Sequence, residues 1–354
     1  MKKLDVAIIG AGPAGIGISA MLAELGIKNQ VIFEANKVGS SFENWPEEMK
    51  LITPSFTTNF YGSMDLNAVV SGTSPAYTLR REHPTGKEYA NYLRAVSNYL
   101  KLPIVEETTV EEVNISKKTF KLKINGSDLV ESKFVIWATG EFQFPSLAPF
   151  KGAELCIHNS QINSWRDLEG DEFYIIGGFE SGIDAAVNLS LFGKKVHVLD
   201  RKAPWEDRDT DPSLNLAPFT LERLRGQYPF GRIDLQKDSE IQHIKEKSGK
   251  YEIKVKGKSK PFISITKPIL ATGFKNKLPI VNELFDWEKE KSYPLLTEDD
   301  ESTRTPGLFL VGPQVRHDNL IFCFIYKYRQ RFGVVANAIG GKLGKDTKLL
   351  EQYR

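Results

Sequence analysis

Cysteine is nearly missing from this chain: Cys156 and Cys323 are the only two, and no CxxC pair exists. That count excludes a disulfide framework and a redox relay through neighbouring thiols, which needs two sulfurs in reach of one another. Cys323 lies in the run Leu320-Ile321-Phe322-Cys323-Phe324-Ile325, which reads as buried; a thiol there is expected to be a small inert hydrophobe. Histidine is scarce as well, five in all and scattered without metal-ligand spacing, so no metal site is expected. No apolar stretch approaches the length needed to cross a bilayer. A net charge of +2, with 26% charged residues, gives no reason to expect nucleic acid or an anionic membrane surface as a partner. Met1-Lys2-Lys3 begins like a signal peptide, but Asp5 and a glycine loop interrupt any apolar core, so the expected location is cytoplasmic.

What is present is glycine in a telling place. Gly10-Ala11-Gly12-Pro13-Ala14-Gly15 follows an apolar run at 4–9 and precedes a helical pattern at 16–25. Gly10 permits the tight turn, Gly12 lets the backbone approach a pyrophosphate, and Gly15 lets the helix pack close to the sheet, its N-terminus facing the phosphate charge. Glu34 closes the next apolar run, 24 residues after Gly10, where a carboxylate can accept from a ribose hydroxyl. A strand, a glycine loop, a helix and an acid in this order predict a dinucleotide site.

The unit then repeats. An apolar run at 171–176 leads into Gly177-Gly178-Phe179-Glu180-Ser181-Gly182, a helix at 183–191 and a strand at 194–199, with Asp200 standing 23 residues beyond Gly177. Phe179 replaces the middle glycine, and its Cβ obstructs a pyrophosphate; the adjacent Gly178 is expected to restore room. Glu180 is expected to repel a pyrophosphate unless a cation pairs with it. Each unit is followed by a strand ending in Ala-Thr-Gly, at Ala138-Thr139-Gly140 and at Ala271-Thr272-Gly273. A helix is expected at 87–99, strands at 104–106, 110–115, 119–124 and 134–138, and a late strand at 307–312 that returns to the first unit. A helix at about 324–339 closes the chain. The polar stretch 203–218 reads as a long loop, of the kind that forms lids or substrate walls. A chain of 354 residues exceeds one compact core. The expected fold is therefore α/β, with two Rossmann-like dinucleotide-binding domains, the second inserted into the first. Residues 1–159 and 281–354 are expected to form an FAD-binding domain and 160–280 an NAD(P)-binding domain.

With these residues in view, the chain resembles the two-dinucleotide-domain flavoproteins, and among them the flavin-containing monooxygenases of bacteria. The resemblance rests on Ala138-Thr139-Gly140 followed by Pro145, on Phe150-Lys151-Gly152 with His158 two residues beyond its usual place, on the helix start Ser181-Gly182-Ile183-Asp184, and on Ala271-Thr272-Gly273-Phe274. It implies FAD at Gly10, Gly12, Pro13, Ala14, Gly15 and Glu34, with further contacts from Ser41, Phe42, Trp45, Val110, Thr139, Gly140 and Gly312. It implies NADPH or NADH at Gly177, Gly178, Glu180, Ser181, Gly182, Asp200 and Arg201. Asp200 suits NADH, whereas Arg201 and Lys202 suit a 2′-phosphate, and the choice stays open. An asparagine close to the flavin corresponds to Asn59, with Thr58 as the alternative.

The activity implied is reduction of FAD by NAD(P)H, then reaction of the reduced flavin with dioxygen through a C4a-hydroperoxide that oxygenates a small molecule. Dimers are common in such a family. A flavin-dependent reductase is the alternative, of bacillithiol-disulfide-reductase type or acting on a quinone or ferredoxin. Against the thiol version, Ala14 stands where that group has a cysteine, and Pro313 stands where many reductases place an acid. A third reading is a flavoprotein sensor with a vestigial nicotinamide site, supported by Phe179.

Overall fold

Apolar runs without alternation become parallel strands covered on both faces, and two such sheets organise the chain. The computed structural model describes residues 2–57, 64–126, 128–207, 211, 213–288, 293–348 and 350. In the first sheet, β1 (Lys2–Ile9) lies between β2 (Gln30–Phe33) and β6 (Asp128–Trp137), and β3 (Ile104–Val105) extends the β2 edge; all of these pairs are parallel. β4 (Val110–Ser116) and β5 (Thr119–Ile124) form an antiparallel meander that runs into the first half of β6. The second half of β6 is taken by the late strand Leu308–Leu310, Val135 opposite Leu308 and Trp137 opposite Leu310. This double use explains why β6 starts at Asp128, well before the expected residue 134.

The second sheet repeats the plan. Its order is Ile233–Gln236, Lys195–Leu199, Glu172–Ile176, Ile269–Leu270, Ile157–His158, again all parallel. A meander of Ile241–Lys247, Lys250–Val255 and Phe262–Ser264, which the sequence reading passed over, mirrors the β4–β6 meander. Ile8 and Ile9 belong to hydrophobic clusters on opposite faces of the first sheet, and Ile175 and Ile176 do the same in the second.

The helix α1 (Pro13–Glu24) is buried along most of its length, between the sheet and the C-terminal helices. Small residues make that possible: a Cβ on Gly17 would run into the Phe332 ring. The helix Gly86–Tyr99 starts with a capping box between Thr85 and Glu88 and buries Tyr89, Tyr92, Leu93 and Val96, the stripe its spacing predicts. The C-terminal helix is divided at Arg329 into Ile325–Tyr328 and Gln330–Lys342. The Arg329 guanidinium donates to the backbone carbonyls of Asp65 and, at 2.7 Å, Ala68, tying the segment after residue 63 to this break.

Of the run 320–325, expected to be buried, Ile325 is, but Leu320 is 63% exposed and Ile321 to Phe324 are half-buried. A short hairpin pairing Arg316–His317 with Leu320–Ile321 carries it to the surface. Among the described residues no helix is long and apolar enough to cross a membrane.

Candidate functional site

Three segments converge at the carboxyl ends of the first parallel sheet, the place where open α/β sheets bind ligands. Gly10 sits at φ +104°, and a Cβ on it would lie 2.7 Å from the Ala138 carbonyl oxygen, so the glycine loop and the first Ala-Thr-Gly lie against each other. A Cβ on Gly15 would overlap the Gly10 carbonyl oxygen. Gly312, at φ +106°, brings the end of the late strand against Ala14, whose Cβ would be 3.2 Å from one built there. Gly12 differs from all of these, because a Cβ on it would meet nothing within 4 Å. The glycine at position 12 is therefore not required by the protein's own packing.

No side chain caps α1 at Gly12, and its first turn holds no acid, which leaves the positive end of the helix available to an anion. Glu34 accepts from the Ala11 N–H at 2.7 Å and the Asn36 N–H at 2.9 Å, which fixes its carboxylate beside the loop. The Thr139 hydroxyl is buried without a hydrogen-bond partner. Open space at Gly12, an uncapped helix and an orphaned hydroxyl at Thr139 fit an ADP-bearing cofactor such as FAD. The short helix Ser40–Glu43 carries Ser41 and Phe42, and the Phe42 ring packs in tilted contact with Trp45 (4.9 Å between ring centroids) and with Tyr89 (4.8 Å). Val110 is buried at the start of β4, two residues after Thr108, whose N–H donates to the Glu34 carbonyl. Asn59 and Thr58 lie outside the described residues.

The second loop reproduces the first in detail. Gly177 also sits at φ +104°, a Cβ on Gly182 would overlap the Gly177 carbonyl, and the Gly178 N–H donates to Asp200 at 2.8 Å as Ala11 does to Glu34. Phe179 has nearly the backbone of Gly12 (φ −86°, ψ −162° against −81°, −173°), and its side chain is 38% exposed. The room expected from Gly178 is absent, because the Trp205 ring lies directly on that glycine. Glu180 also departs from expectation. Its carboxylate turns away from the loop and accepts from the Ala217 N–H and the Thr220 hydroxyl, both at 2.5 Å, at the start of the helix Pro218–Gln227. Burial pushes its pKa up, partly offset by those two donors. Asp200 also accepts from the N–H groups of Lys202 and Ala203, while Arg201 and Lys202 are exposed and Ser181 is half-buried.

The two Ala-Thr-Gly ends meet. Pro145 bridges to Phe274, the Ser146 N–H donates to the Gly273 carbonyl and the Lys275 N–H to that of Phe144, so the chain crosses between the units along two paired segments. His158, read from the sequence as a shifted fingerprint residue, holds this joint. A carbonyl can only accept, so Nε2–H donates to Gly273 at 3.1 Å, and Nδ1 accepts from the Ser160 N–H. Burial lowers the His158 pKa and keeps the ring neutral. Its folded-state pKa lies below the unfolded one, so its stabilising effect is present above the ordinary histidine range and fades as pH falls through it. A His158→Ala variant is expected to lose about 1–3 kcal/mol of stability at neutral pH with unchanged flavin content, read by chemical denaturation and by the flavin-to-protein absorbance ratio.

Both thiols are unpaired. Cys156 is buried and its pKa is pushed up to about 12 by that burial. Burial also raises Cys323, though Ser213, Arg316 and Lys327 pull the other way. Lys327 binds Asp211 at 2.9 Å and Ser213 at 2.6 Å, which holds these two residues against the start of the C-terminal helix. The sequence reading missed Glu141, directly after the first Ala-Thr-Gly, whose carboxyl is raised by burial; only its adjacency to that motif marked it.

A family model for pyridine nucleotide-disulphide oxidoreductases matches residues 7–312. The chain belongs to that family. FAD and a nicotinamide nucleotide are accordingly its cofactors. An uncharacterized CzcO-like oxidoreductase of Geobacillus kaustophilus is 28% identical over 191 residues, covering 53% of this chain and 51% of that protein. The match to this relative and to two CzcO proteins of Bacillus spans about half of their length. Among solved structures, the bacillithiol disulfide reductase Bdr (YpdA) of Staphylococcus aureus superposes with a TM-score of 0.78 at 20% identity, over 97% of this chain and 99% of that one. A flavin-containing monooxygenase of Stenotrophomonas maltophilia gives 0.75 at 15% identity, over 97% and 100%. At these identities the likeness is one of fold, and it spans both a reductase and a monooxygenase.

Proposed function

We propose that the chain is an NAD(P)H-dependent flavin enzyme of monooxygenase type acting on a small molecule. In this reading residues 1–159 and 281–354 hold FAD, and 160–280 hold the nicotinamide nucleotide. What supports a flavin enzyme that uses no protein thiol, the feature this reading shares with a quinone or ferredoxin reductase, is the state of the cysteines: two, neither in a disulfide, Cys156 buried and Cys323 half-buried. A thiolate is the reactive form, so neither residue is poised to relay electrons. In this reading electrons pass from the flavin to the final acceptor without a protein sulfur.

The chemistry supplied by bound FAD is acceptance of a hydride from NAD(P)H and delivery of its two electrons to dioxygen, one oxygen atom going to the substrate and the other leaving as water. The protein's part is positional. The open face at Gly12 and the uncapped start of α1 receive the pyrophosphate, Glu34 has carboxylate lone pairs left for a ribose hydroxyl, and the Thr139 hydroxyl gains the partner it lacks. The same thiol observation suits a reductase whose acceptor is a quinone or ferredoxin, and the two readings part only after the flavin is reduced.

Anaerobic stopped-flow reduction by NADH and by NADPH, followed by mixing with oxygenated buffer, separates them. Bleaching of the oxidised-flavin band and then a lasting transient at shorter wavelength supports the monooxygenase. Reoxidation without a transient favours the reductase. A Cys156→Ser/Cys323→Ser variant is expected to be reduced by NAD(P)H within about twofold of the parent rate, ~0.4 kcal/mol in the barrier. A collapse of that rate would return a thiol to the mechanism.

A further inference from the structure

Two strands end side by side on the half of the first sheet that lies away from Glu34. β6 and the late strand run parallel with Trp137 opposite Leu310, so residues 138–141 and 311–313 leave the sheet together, beside the first glycine loop. With the pyrophosphate at Gly12 and the adenosine ribose at Glu34, on the β2 side, the other half of FAD crosses these two ends. In the two segments only Thr139 and Glu141 have polar side chains; alanine, glycine, valine and proline make up the rest. Glu141 is half-buried, burial raises its pKa, and among the described residues nothing donates to its carboxylate or pairs with it. Its oxygens are nonetheless open to solvent, unlike the Thr139 hydroxyl, which is buried and orphaned.

Arg316, also half-buried, lies within electrostatic reach of Glu141, yet the two do not join in an ion pair. Its guanidinium donates through Nη1 to the Pro313 and Val315 carbonyls, at 2.5 and 2.8 Å, while Nε and Nη2 have no partner among the described residues. The hairpin that carries it is anchored next door: His317 meets the buried Asp300 at 2.5 Å, and Arg331 holds the same carboxylate at 2.9 and 3.0 Å. A carboxylate and a guanidinium within reach of one another, sheltered and unpaired, suit a ligand with donors for one and acceptors for the other. The flavin half of FAD has both. We propose that Glu141 and Arg316 seat that half, the carboxylate accepting from ribityl hydroxyls and the guanidinium donating to a carbonyl oxygen of the ring system. This rests on the reading that the first unit holds FAD. Until FAD supplies those donors, an unpartnered sheltered carboxylate destabilises the fold. Its folded pKa lies above the unfolded one, so the destabilisation sets in as pH rises through the folded value.

The test uses the full chain stripped of flavin, with FAD titrated by its fluorescence and ADP added as a competitor for the same site. Glu141→Met is expected to weaken FAD about tenfold or more, the range of a hydrogen bond to a charged group, and to leave ADP within about twofold, because ADP lacks the flavin half. Arg316→Met should show the same split between FAD and ADP. Without flavin, Glu141→Met should melt at or above the parent temperature, the sign opposite to that of a carboxylate kept for the fold. Glu141→Gln, which keeps the shape and one acceptor oxygen, should lie between, and it decides the matter if Glu141→Met does not fold. Unchanged FAD affinity, an equal loss for ADP, or a lower melting temperature in Glu141→Met overturns the seat. If Gly12→Val weakens FAD and Glu141→Met does not, the seat alone fails. If neither changes FAD affinity, FAD lies elsewhere, and the reading of the first unit fails with it.

Discussion

A Gly12→Val variant is expected to fold normally and to purify without FAD. The two halves of that expectation come from one measurement of space. A Cβ on Gly12 meets no protein atom within 4 Å, and the residue's φ of −81° is open to any amino acid. The Cβ position is open and the backbone admits an L residue, so the cofactor-free form should stay folded, with a loss of at most about 1 kcal/mol for a poorer N-cap residue. The empty space is where the pyrophosphate must approach the backbone, and two methyl groups in it should weaken FAD by at least about a hundredfold, ~2.7 kcal/mol. The measurement is the flavin-to-protein ratio after purification, with thermal melts of both proteins stripped of cofactor. Gly15→Ala makes a poor substitute, since its Cβ overlaps the Gly10 carbonyl and the helix itself must move, at about 1–3 kcal/mol. If Gly12→Val retains one FAD per chain, the first glycine loop is not the pyrophosphate site.

The second large effect concerns a charge pair that no loop motif announces. Asp184 is buried in the helix Glu180–Leu191, 2.6 Å from Arg223, and Asn188 bonds to both. Arg223 lies over the Phe219 ring, which stacks on His83 of the first unit at 3.6 Å and 8°. Arg223→Met leaves Asp184 buried and uncompensated, and is expected to cost about 3–5 kcal/mol. Burial already raises the Asp184 pKa, with Arg223 and Asn188 opposing it; without the arginine it should rise further. A carboxyl whose folded pKa exceeds its unfolded one favours the folded state at acid pH and loses that benefit as pH climbs through the folded value. The deficit of Arg223→Met should therefore be smallest at acid pH and grow toward neutrality, as denaturant titrations across pH would show. Adding Asp184→Leu should restore most of the loss, because an apolar pair carries no desolvation penalty. A pH-independent deficit, or no recovery in the double variant, would mean that lost packing, not stranded charge, is what the substitution removes.

The glycine loops, the acids that close their second strands and the two Ala-Thr-Gly ends were legible because each is local: a turn, a helix start and a strand end within a short stretch. The same locality exposed Phe179 as a departure. What the sequence hid depends on approach between distant segments. Glu180 was expected beside a pyrophosphate, yet it bonds to Ala217 and Thr220, residues that a different helix brings near. Gly178 was expected to leave room, and Trp205 fills it, because the turn after Asp200 folds back over the loop. His158 looked like a misplaced fingerprint residue, but its partner is the Gly273 carbonyl at the far end of the inserted segment. The strand at 307–312 was legible as a strand, and its pairing along the second half of β6 was anticipated only as a return to the first unit.

That pairing sets an order of assembly during synthesis. The outer edge of β6 stays unpaired over Val135–Trp137 until Leu308–Leu310 has left the ribosome, whereas every strand of the second sheet, from Ile157 to Leu270, is already out by then. The unit whose chain emerges first is the last to close. Left as free coil, the chain between these partners would pay an entropic penalty to bring them together. The folded second unit shortens that search, since its two ends leave side by side where Pro145 meets Phe274, and so it delivers the late strand to its seat. Damage to the second unit should accordingly surface as slow maturation of the first.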